Sequence, residues 1–438
     1  MSNATFLGGF KVLDGKKLTK NKPITSLKPL GELVFPLSQY NGGVANALVS
    51  KGDAVLVGQI IGESSDDYKT NIISSVSGKV KAIETRLSPT GGKIESIVIE
   101  NDDKYETIEN YGIKEDYKGL TKERIIEKIR NAGIIGLGGA GFPSHIKLQY
   151  EKANEIKYII INALESDMFV TSDSSSTESY SDKVIEGAKI LLHLFENAKV
   201  IIAIGTNMPN AIKLIEEKLI EEDRVEIKTL RPNYPIGEER QMIYAVTKRK
   251  LPLSTLPIKA GYIVNNVSTI IAIFDAVALG IPLIERVVTV TGDAIKEPAN
   301  FRVRIGTSHA EIIEAAGGFV TEPKKVISGG LMSGKALYSL ELPVTGLTNA
   351  IVAFVSDEDS YSAMPCIRCG KCIEVCPSKI MPVELAMLAE REDSKAFIKL
   401  NGLECIECGY CTFICPSKRK LLQSIKYGKV ICKNKNKK

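Results

Sequence analysis

The chain has 438 residues, of which 44% are hydrophobic, so it can bury a large core and should hold about three domains of roughly 150 residues each. Its 57 basic and 52 acidic residues give a formal charge of +5, far from the one-sided basic surface of nucleic-acid-binding proteins, and we exclude nucleic acid as a partner. No signal peptide and no apolar stretch of about 18 residues is recognisable, because Asp275 interrupts the longest candidate span, so we expect a cytoplasmic protein.

Residues 1–117 contain short apolar segments such as ELVFPL, SSVSGKVKAIE and IESIVIE, separated by Gly, Asn, Asp and Pro, which is typical of β-strands joined by turns. The segments VSKGD, VGQ and SSVSGKV resemble the barrel-sandwich fold of biotinyl and lipoyl domains. No lysine stands at the turn where those domains attach a carrier. We therefore expect a supporting or docking module, with a swinging arm as the less favoured alternative.

Residues 118–286 alternate between amphipathic and apolar segments. The helix patterns are TKERIIEKIRNAG, SDKVIEGAKILLHLFEN and MPNAIKLIEEKLIEED, and the strand patterns are IKYIIINAL, AKVIIAIG and VEIKTL. This alternation predicts a Rossmann-like α/β domain with a largely parallel sheet. Ligands in such folds lie at the carboxyl ends of the strands.

The remaining sequence divides into three parts. Residues 287–353 are rich in strand patterns and glycine, which favours a small β-grasp module. Residues 354–417 contain two matched cysteine runs, CIRCGKCIEVCP and CIECGYCTFICP, which repeat every 39 residues. Residues 418–438 form a basic tail that we expect to be solvated, with docking against a membrane partner or an acidic ferredoxin as the alternative.

The cysteine runs predict iron–sulfur clusters. Eight of the nine cysteines lie in them, which leaves few for disulfides and indicates a reducing compartment. In two-cluster ferredoxins the fourth cysteine of each run binds the other cluster. One [4Fe–4S] cluster is therefore assigned to Cys366, Cys369, Cys372 and Cys415, and the other to Cys405, Cys408, Cys411 and Cys376. Structural zinc is the alternative. The ninth, Cys432, is expected to be a free thiol of no special role.

A glycine-rich loop, GIIGLGGAGFPSHIKL, follows the first helix pattern of the α/β domain. Glycines at 136, 138, 139 and 141 allow the backbone to approach a ligand, and successive N–H groups can bind a phosphate, with Lys147 adding positive charge. A plain tight turn is the alternative reading. His145 is expected to be either a cofactor neighbour or a surface residue.

Six segments in this order, namely GLGGAGFPSHIKL, INALESD, YPIGEERQMIYAV, VNNVSTIIAI, RVVTVTGD and the paired cysteine runs, resemble the C subunit of the Rnf complex, a membrane-bound ferredoxin:NAD oxidoreductase. The central part is similar to the NADH-binding flavoprotein subunit of respiratory complex I. The resemblance covers nearly the whole chain, and it makes the β-grasp module an SLBB-like one. It implies a noncovalent FMN that exchanges hydride with NAD(H) and passes single electrons to the clusters, with no catalytic acid or base required.

The resemblance also implies roles for individual residues. The flavin phosphate and ribityl chain would be held by Gly136, Gly138, Gly139, Lys147, Asn162, Asn265, Asn266 and Thr269. The flavin ring and the nicotinamide nucleotide would be contacted by Glu165, Asp167, Tyr234, Gly237, Glu238 and Glu239. Without the resemblance, Glu238 and Glu239 would read as a solvated helix start.

The chain departs from the family pattern in three places. It reads YNGGVA at Tyr40–Ala45 where Rnf C subunits typically read HIGAP, and NALESDM at Asn162–Met168 where they read NGAECEP. Asp167 thus keeps a carboxylate but shortens the side chain by one methylene, which should weaken a ribose contact. Arg240 stands where lysine is common.

Three functions follow as hypotheses. The first is an electron-transfer subunit between NADH and ferredoxin-type carriers, peripheral on the cytoplasmic face of the membrane, with the other subunits of an ion-translocating Rnf complex as partners. The second is a soluble Rnf-C-like protein that feeds NADH electrons to a dedicated reductase such as proline reductase. The third is an adaptor that has lost nucleotide binding.

Overall fold

The structure is a computed structural model that describes residues 15–39, 44–64, 70–89, 91–139, 141–219, 223–252, 255–332, 334–357 and 362–435. Part of the divergent segment Tyr40–Ala45 lies outside these residues. No helix among them is long and apolar enough to cross a membrane.

The first part of the chain forms two small antiparallel sheets around a common apolar core. Its strands are β1 Ile24–Ser26, β2 Glu32–Pro36, β3 Ala45–Ala47, β4 Ala54–Val55, β5 Ile60–Ser64, β6 Asn71–Ile73, β7 Gly78–Leu87 and β8 Lys93–Asn101. One sheet has the order β2-β8-β7-β4 and the other β3-β5-β6. Leu33 and Phe35, alternate residues of β2, are fully buried, since successive side chains of a strand point to opposite faces, whereas residues 96–99 of β8 are all buried.

Its place within the predicted 1–117 module suggests that the segment before β2 should join these sheets, but it does not. Strand β1 pairs in parallel with a strand nearly 300 residues later, Asn300 lying opposite Ile24. Ahead of it, the buried Lys16 donates hydrogen bonds to the carbonyls of Asp167 and Val170. Gly15 has φ of +52° and lies so close to the Phe169 ring that a Cβ atom would approach it to 2.5 Å. The segment therefore fastens the first module to the rest of the protein.

The second part is the α/β domain. Its elements are α1 Lys122–Asn131, α2 Ser144–Leu148, β9 Tyr158–Ala163, α3 Ser172–Ser179, α4 Ser181–Leu194, β10 Lys199–Gly205, α5 Pro209–Lys218, β11 Val225–Leu230, α6 Glu239–Thr247, β12 Tyr262–Asn266 and α7 Val267–Leu279. The four strands are parallel in the order β11-β10-β9-β12. All six predicted elements are present, and the central strands are buried on both faces, as parallel strands covered by helices must be.

The third part is a six-stranded sheet with one helix. It consists of β13 Glu285–Thr291, β14 Ala299–Arg304, α8 His309–Ala315, β15 Lys325–Ser328, β16 Lys335–Ala336 and β17 Ala350–Phe354, with strand order β1-β14-β13-β17-β15-β16. Its core includes Val288, Val303 and Ile312, which are fully buried. The sheet shares its edge strand β1 with the first part of the chain.

The cysteine runs lie in a helical unit that contains α9 Lys371–Glu374, α10 Pro382–Glu390, α11 Ser394–Lys399, α12 Tyr410–Phe413 and α13 Leu421–Lys435. The expectation of a solvated tail is wrong for residues 421–435. Leu421, Ile425 and Cys432 lie on one face of α13 at helical spacing and are buried. Cys432 is therefore a core residue of this unit, in spite of the basic residues around it.

We expect Gly187→Ala to destabilise the protein by about 1 to 3 kcal/mol, because overpacking forces elements apart. Gly187 in α4 lies so close to α7 that a Cβ atom would come within 2.6 Å of Ile270 Cγ2 and 2.7 Å of its carbonyl oxygen. Thermal unfolding under anaerobic conditions measures the effect. Gly119→Ala is the matched control, since a Cβ atom there meets nothing within 4 Å. If Gly187→Ala and Gly119→Ala lose the same amount of stability, the close packing of α4 on α7 is contradicted.

Candidate functional site

The candidate site lies at the carboxyl ends of β9 and β12, which are neighbours in the parallel sheet. The register places Asn266 directly beside Asn162. The glycine loop closes over this edge, because the Leu137 N–H donates to the Thr269 hydroxyl at 2.9 Å. Gly138 lies against Asn266, where a Cβ atom would approach the Asn266 Cβ to 3.1 Å. The sheet edge thus gathers residues that are more than 100 positions apart in the sequence.

The loop owes its shape to glycine. The Gly136 N–H donates to the carbonyl of Phe142 and the Gly136 carbonyl accepts from Gly141, which makes a closed turn. Gly139 has φ of +102°, a conformation that side-chain-bearing residues rarely adopt, and both Gly138 and Gly139 are exposed. Thr269, by contrast, is fully buried and holds the loop from beneath. Its position favours a supporting role over the ligand contact that the resemblance implies.

Lys147 links the loop to helix α6. Its ammonium group donates to the Val264 carbonyl at 2.6 Å and lies 3.3 Å from Glu239 Oε1, with the side chain 27% exposed. Glu238 caps α6 by accepting from the backbone N–H groups of Arg240 and Gln241, and burial raises the pKa of its carboxyl group. Glu238 is therefore a half-buried cap rather than a solvated residue.

Two asparagines line the same edge, and one of them has a donor that is unpaired within the described residues. Asn265 is buried, and its Nδ2 makes no hydrogen bond to any described residue. Asn162 accepts from Leu164 N–H and donates to the Gly237 carbonyl at 3.2 Å. Gly237 presents only backbone to this edge, and a Cβ atom at this position would lie 3.3 Å from Ser166 Oγ. An unpaired buried donor costs free energy unless a ligand accepts from it, so this edge fits a flavin phosphate and ribityl chain.

Glu165 follows β9 and is buried. Its carboxylate accepts from the N–H groups of Asp173 and Ser174 at 2.7 and 3.2 Å, at the start of α3. Burial, and then the nearby charge of Asp173, raises the pKa of Glu165 to about 7. The carboxylate thus caps a helix in this structure and is not open to solvent.

Asp173 belongs to the site although the sequence did not indicate it. Its two carboxylate oxygens accept from Asn266 Nδ2 at 2.6 Å and from the Ser268 hydroxyl at 2.8 Å. It therefore sets the orientation of Asn266. The only sequence signal for it was a serine-rich polar segment after a buried strand, without apolar periodicity.

Asp167 and His145, two expected neighbours of the ligand, have partners outside the glycine loop, although the charge of Asp167, after the larger effect of burial, also raises the pKa of Tyr234. The Asp167 carboxylate accepts from the N–H groups of Met168 and Met332 at 2.8 and 3.3 Å, so it contacts the segment after β15. His145 is buried beside α1, and burial, followed by the charge of Arg130, lowers the pKa of its imidazole to about 4. His145 is therefore buried rather than at the surface, and it lines a cavity with Ile126 and Arg130 of α1.

The loop before α6 connects this edge to the cysteine runs. The Tyr234 hydroxyl donates to the carbonyl of Cys408 at 2.8 Å. The Tyr234 ring meets the Tyr410 ring edge-on, with centroids 6.5 Å apart. Both tyrosines are buried, at 8% and 1% exposure, so a dry contact joins the sheet edge to the second cysteine run.

The cysteines group across the two runs. Burial raises the pKa of Cys408 to about 11 and that of Cys411 to about 12, and the charge of Cys376 adds to both. Cys376 likewise acts on Cys405, while Cys372 is influenced by Cys415 and Cys366. Within the part of the chain that the structure describes, no three His, Cys, Asp or Glu side chains could hold a single metal ion. The influence of Cys376 on the cysteines of the second run, and of Cys415 on Cys372, fits two [4Fe–4S] clusters with crossed ligands, in which Cys369 would complete the set of Cys366, Cys372 and Cys415.

Glu165 should make the protein less stable as the pH rises. Because its folded pKa of about 7 exceeds the ordinary 4.5, its contribution to stability is complete below pH 4.5 and is lost as the pH rises through 7. Glu165→Gln keeps an acceptor oxygen without the charge. We compare the free energy of unfolding of the variant with that of the wild type at pH 5 and at pH 8, by anaerobic thermal unfolding. We expect the difference to shift in favour of the variant by about 1 to 3 kcal/mol from the lower to the higher pH.

An exposed carboxylate provides the control for this measurement. Glu216→Gln on α5 should leave the difference between the two pH values unchanged. If the free energy of unfolding of the wild type and of Glu165→Gln changes equally with pH, ionisation of Glu165 does not destabilise the folded protein and the prediction is wrong.

The crossed cysteine groups can be tested by combining substitutions. Cys376→Ser should remove one cluster and half of the bound iron. Adding Cys408→Ser should cost no further iron, whereas adding Cys372→Ser should remove the rest, because Cys372 binds the other cluster. Iron analysis and electron paramagnetic resonance of the reduced proteins measure both outcomes. The reverse pattern would mean that each run binds its own cluster.

Comparisons with protein-family models match all four parts of the chain. The RnfC barrel sandwich hybrid domain matches residues 4–104, the Nuo51 FMN-binding domain residues 129–275, the SLBB domain residues 287–336, and a 4Fe–4S dicluster domain residues 365–419. These matches confirm the predicted fold class, and the FMN-binding and dicluster domains support the predicted cofactors.

A solved structure of an NAD+-reducing [NiFe]-hydrogenase is similar in fold, with a TM-score of 0.51 and 17% identity over 72% of this chain and 61% of that chain. At this identity the likeness concerns the fold alone.

Curated relatives cover almost the whole chain. The C subunit of the proton-translocating ferredoxin:NAD(+) oxidoreductase complex of Clostridium ljungdahlii is 41% identical over 97% of this chain and 93% of its own length. The C subunit of the Na(+)-translocating complex of Acetobacterium woodii is 37% identical over 98% and 97%. The C subunit of an ion-translocating oxidoreductase complex of Haemophilus influenzae is 34% identical over 89% of this chain but only 60% of its own length. The chain belongs to the family of C subunits of ion-translocating ferredoxin:NAD(+) oxidoreductase complexes.

Proposed function

We propose that this chain is the subunit of an ion-translocating oxidoreductase complex that exchanges electrons between NADH and ferredoxin-type carriers, by way of a noncovalent FMN and two [4Fe–4S] clusters. Its family and its FMN-binding and dicluster domains support this function. The complex would hold it peripherally on the cytoplasmic face of the membrane.

One observation carries the proposal. The Tyr234 hydroxyl reaches the Cys408 carbonyl, so the loop beside the flavin edge touches the backbone of a predicted cluster ligand. A site for a two-electron cofactor and a pair of one-electron centres thus share a buried boundary. This arrangement suits a protein that takes electrons in pairs and releases them one at a time.

Different residues of the sheet edge would contact different parts of the flavin and of the nicotinamide nucleotide. Lys147 would neutralise the flavin phosphate over the glycine loop, and the unpaired Asn265 amide would donate to a flavin oxygen. Asp173 would keep Asn266 in the orientation that the ribityl chain requires. Glu239 and the backbone at Gly237, at the start of α6, would contact the nicotinamide nucleotide.

When bound, FMN accepts two electrons from NADH and can release them singly. The protein's contribution is to hold the two rings in contact and to exclude water, which needs no acid or base among its side chains. The buried Tyr234 and Tyr410 serve the second purpose, since they seal the boundary towards the second cysteine run.

The alternative functions receive less support. The relatives described above are subunits of ion-translocating complexes, which favours the complex over a soluble protein that serves a dedicated reductase. An adaptor that holds no flavin would have no use for the buried Asn265 amide, whose Nδ2 makes no hydrogen bond to any described residue.

The proposal is tested by purifying the chain anaerobically, reconstituting flavin and clusters, and adding NADH or NADPH. We expect NADH to bleach the flavin and to reduce both clusters. Lys147→Met should lower flavin affinity about tenfold or more, because a charge-assisted contact to the phosphate is lost. The flavin-to-protein ratio after gel filtration measures this loss.

Lys213→Met is the matched control, because Lys213 lies on α5 with its side chain 78% exposed. It should retain full flavin content. If dithionite reduces flavin and clusters but neither nucleotide does, the proposed NADH exchange is wrong and the adaptor function takes its place.

A further inference from the structure

The two cysteine runs have the same local structure. Gly370 and Gly409, which occupy equivalent positions, have φ of +76° and +77°. The N–H groups of Arg368 and Glu407 each donate to the first cysteine sulfur of their run at 3.4 Å. Any difference between the runs therefore comes from their surroundings.

The second run is covered by the rest of the chain. A Cβ atom at Gly409 would contact the Met332 carbonyl and the Leu422 side chain at 3.6 Å. Tyr410, the next residue, is 1% exposed and meets Tyr234 of the flavin edge. Ile406 lines a cavity of about 460 Å³ together with α6 and with residues 377–380, which follow the fourth cysteine of the first run. The cluster of the second run is thus the one next to the flavin.

The first run is open. All residues from 362 to 371 are exposed, including Cys366 and Cys369. A Cβ atom at Gly370 would meet nothing within 4 Å. Met364 and Ile367 are 66% and 68% exposed, whereas Ile406, the equivalent of Ile367, is only partly exposed. Two large apolar side chains this exposed, three positions apart beside a predicted cluster, favour a protein interface at this face.

The charges of the two runs also differ. Glu407 in the second run is paired with Lys429 at 2.6 Å. Its equivalent, Arg368, and the nearby Lys371 form no ion pair with any described residue. Unpaired cations around an apolar centre favour a partner surface with carboxylates at its rim.

We propose that residues 362–371 form the electron-exit face of this chain, and that another subunit of the same complex docks there with an acidic rim and an apolar centre. This inference rests on the proposed function. Transfer across the face moves one electron at a time and breaks no bond, so the partner carries a one-electron centre, an iron–sulfur cluster or a flavin, which is reduced as the first-run cluster is oxidised. Reverse flow uses the same contact.

Site-specific photocrosslinking in the intact complex tests the docking face. A benzophenone side chain replaces Ile367 in one preparation and the equivalent Ile406 in another. We expect the group at 367 to crosslink to another subunit, and the group at 406 to crosslink only within this chain. No intersubunit product at 367, or a product only with added ferredoxin, would overturn the proposal.

A charge-reversal pair provides a second measurement. Arg368→Glu combined with Lys371→Glu should release this chain from the complex at low salt, with affinity at least about tenfold weaker, because like charges would then face each other. Lys395→Glu with Lys399→Glu, exposed on α11, is the control and should leave assembly intact.

The two proposals fail in different ways. In the isolated reconstituted chain, NADH should still bleach the flavin after either charge reversal. Loss of bleaching in the wild type would contradict the proposed function, whereas retained assembly after reversal at 368 and 371 would contradict the docking face alone.

Discussion

The parallel pairing of β9 with β12 is the constraint on which the site depends. It places Asn162 beside Asn266 and brings the start of α7 under the glycine loop, where Thr269 holds Leu137. Two parallel neighbouring strands need a long connection between them. The connection from β9 to β12 contains β10, β11 and helices α3 to α6. Residues from distant segments therefore meet at one sheet edge, where the glycine loop, Asn162 and Asn266 lie together.

The N-terminal segment supports this edge from outside the α/β domain. Lys16 is buried and binds the carbonyls of Asp167 and Val170, and the Thr171 hydroxyl donates to that of Thr19 at 2.8 Å. The positive charge of Lys16 lowers the pKa of Glu165, against the larger effect of burial. The first module thus contributes a cation to the carboxylate-rich loop after β9, which links a barrel-sandwich module to the flavin edge by direct contact.

The surroundings of the two cysteine runs are asymmetric. Each run has the same spacing and the same backbone, so the clusters alone would form a symmetric unit. Burial of Tyr410 against Tyr234 on one side, and exposure of Ile367 on the other, assigns one cluster to the interior and the other to the surface. The dry boundary protects the inner electron transfer from water, while the open face remains accessible to a partner.

Features that depend on local spacing could be predicted from the order of the residues alone. Cysteines in CxxCxxCxxxCP order, glycines in the loop and apolar periodicity in β9, α4 and β10 are properties of short segments, and each predicted its element. Contacts between distant segments appear only in the folded protein. They bury one face of α13 with Cys432, place β1 in the sheet of β14, make Glu165 a helix cap and make Asp173 the partner of Asn266. These outcomes follow from the burial and pairing of groups far apart in the chain, because the free energy of a polar or apolar side chain is set by the neighbours that folding brings to it.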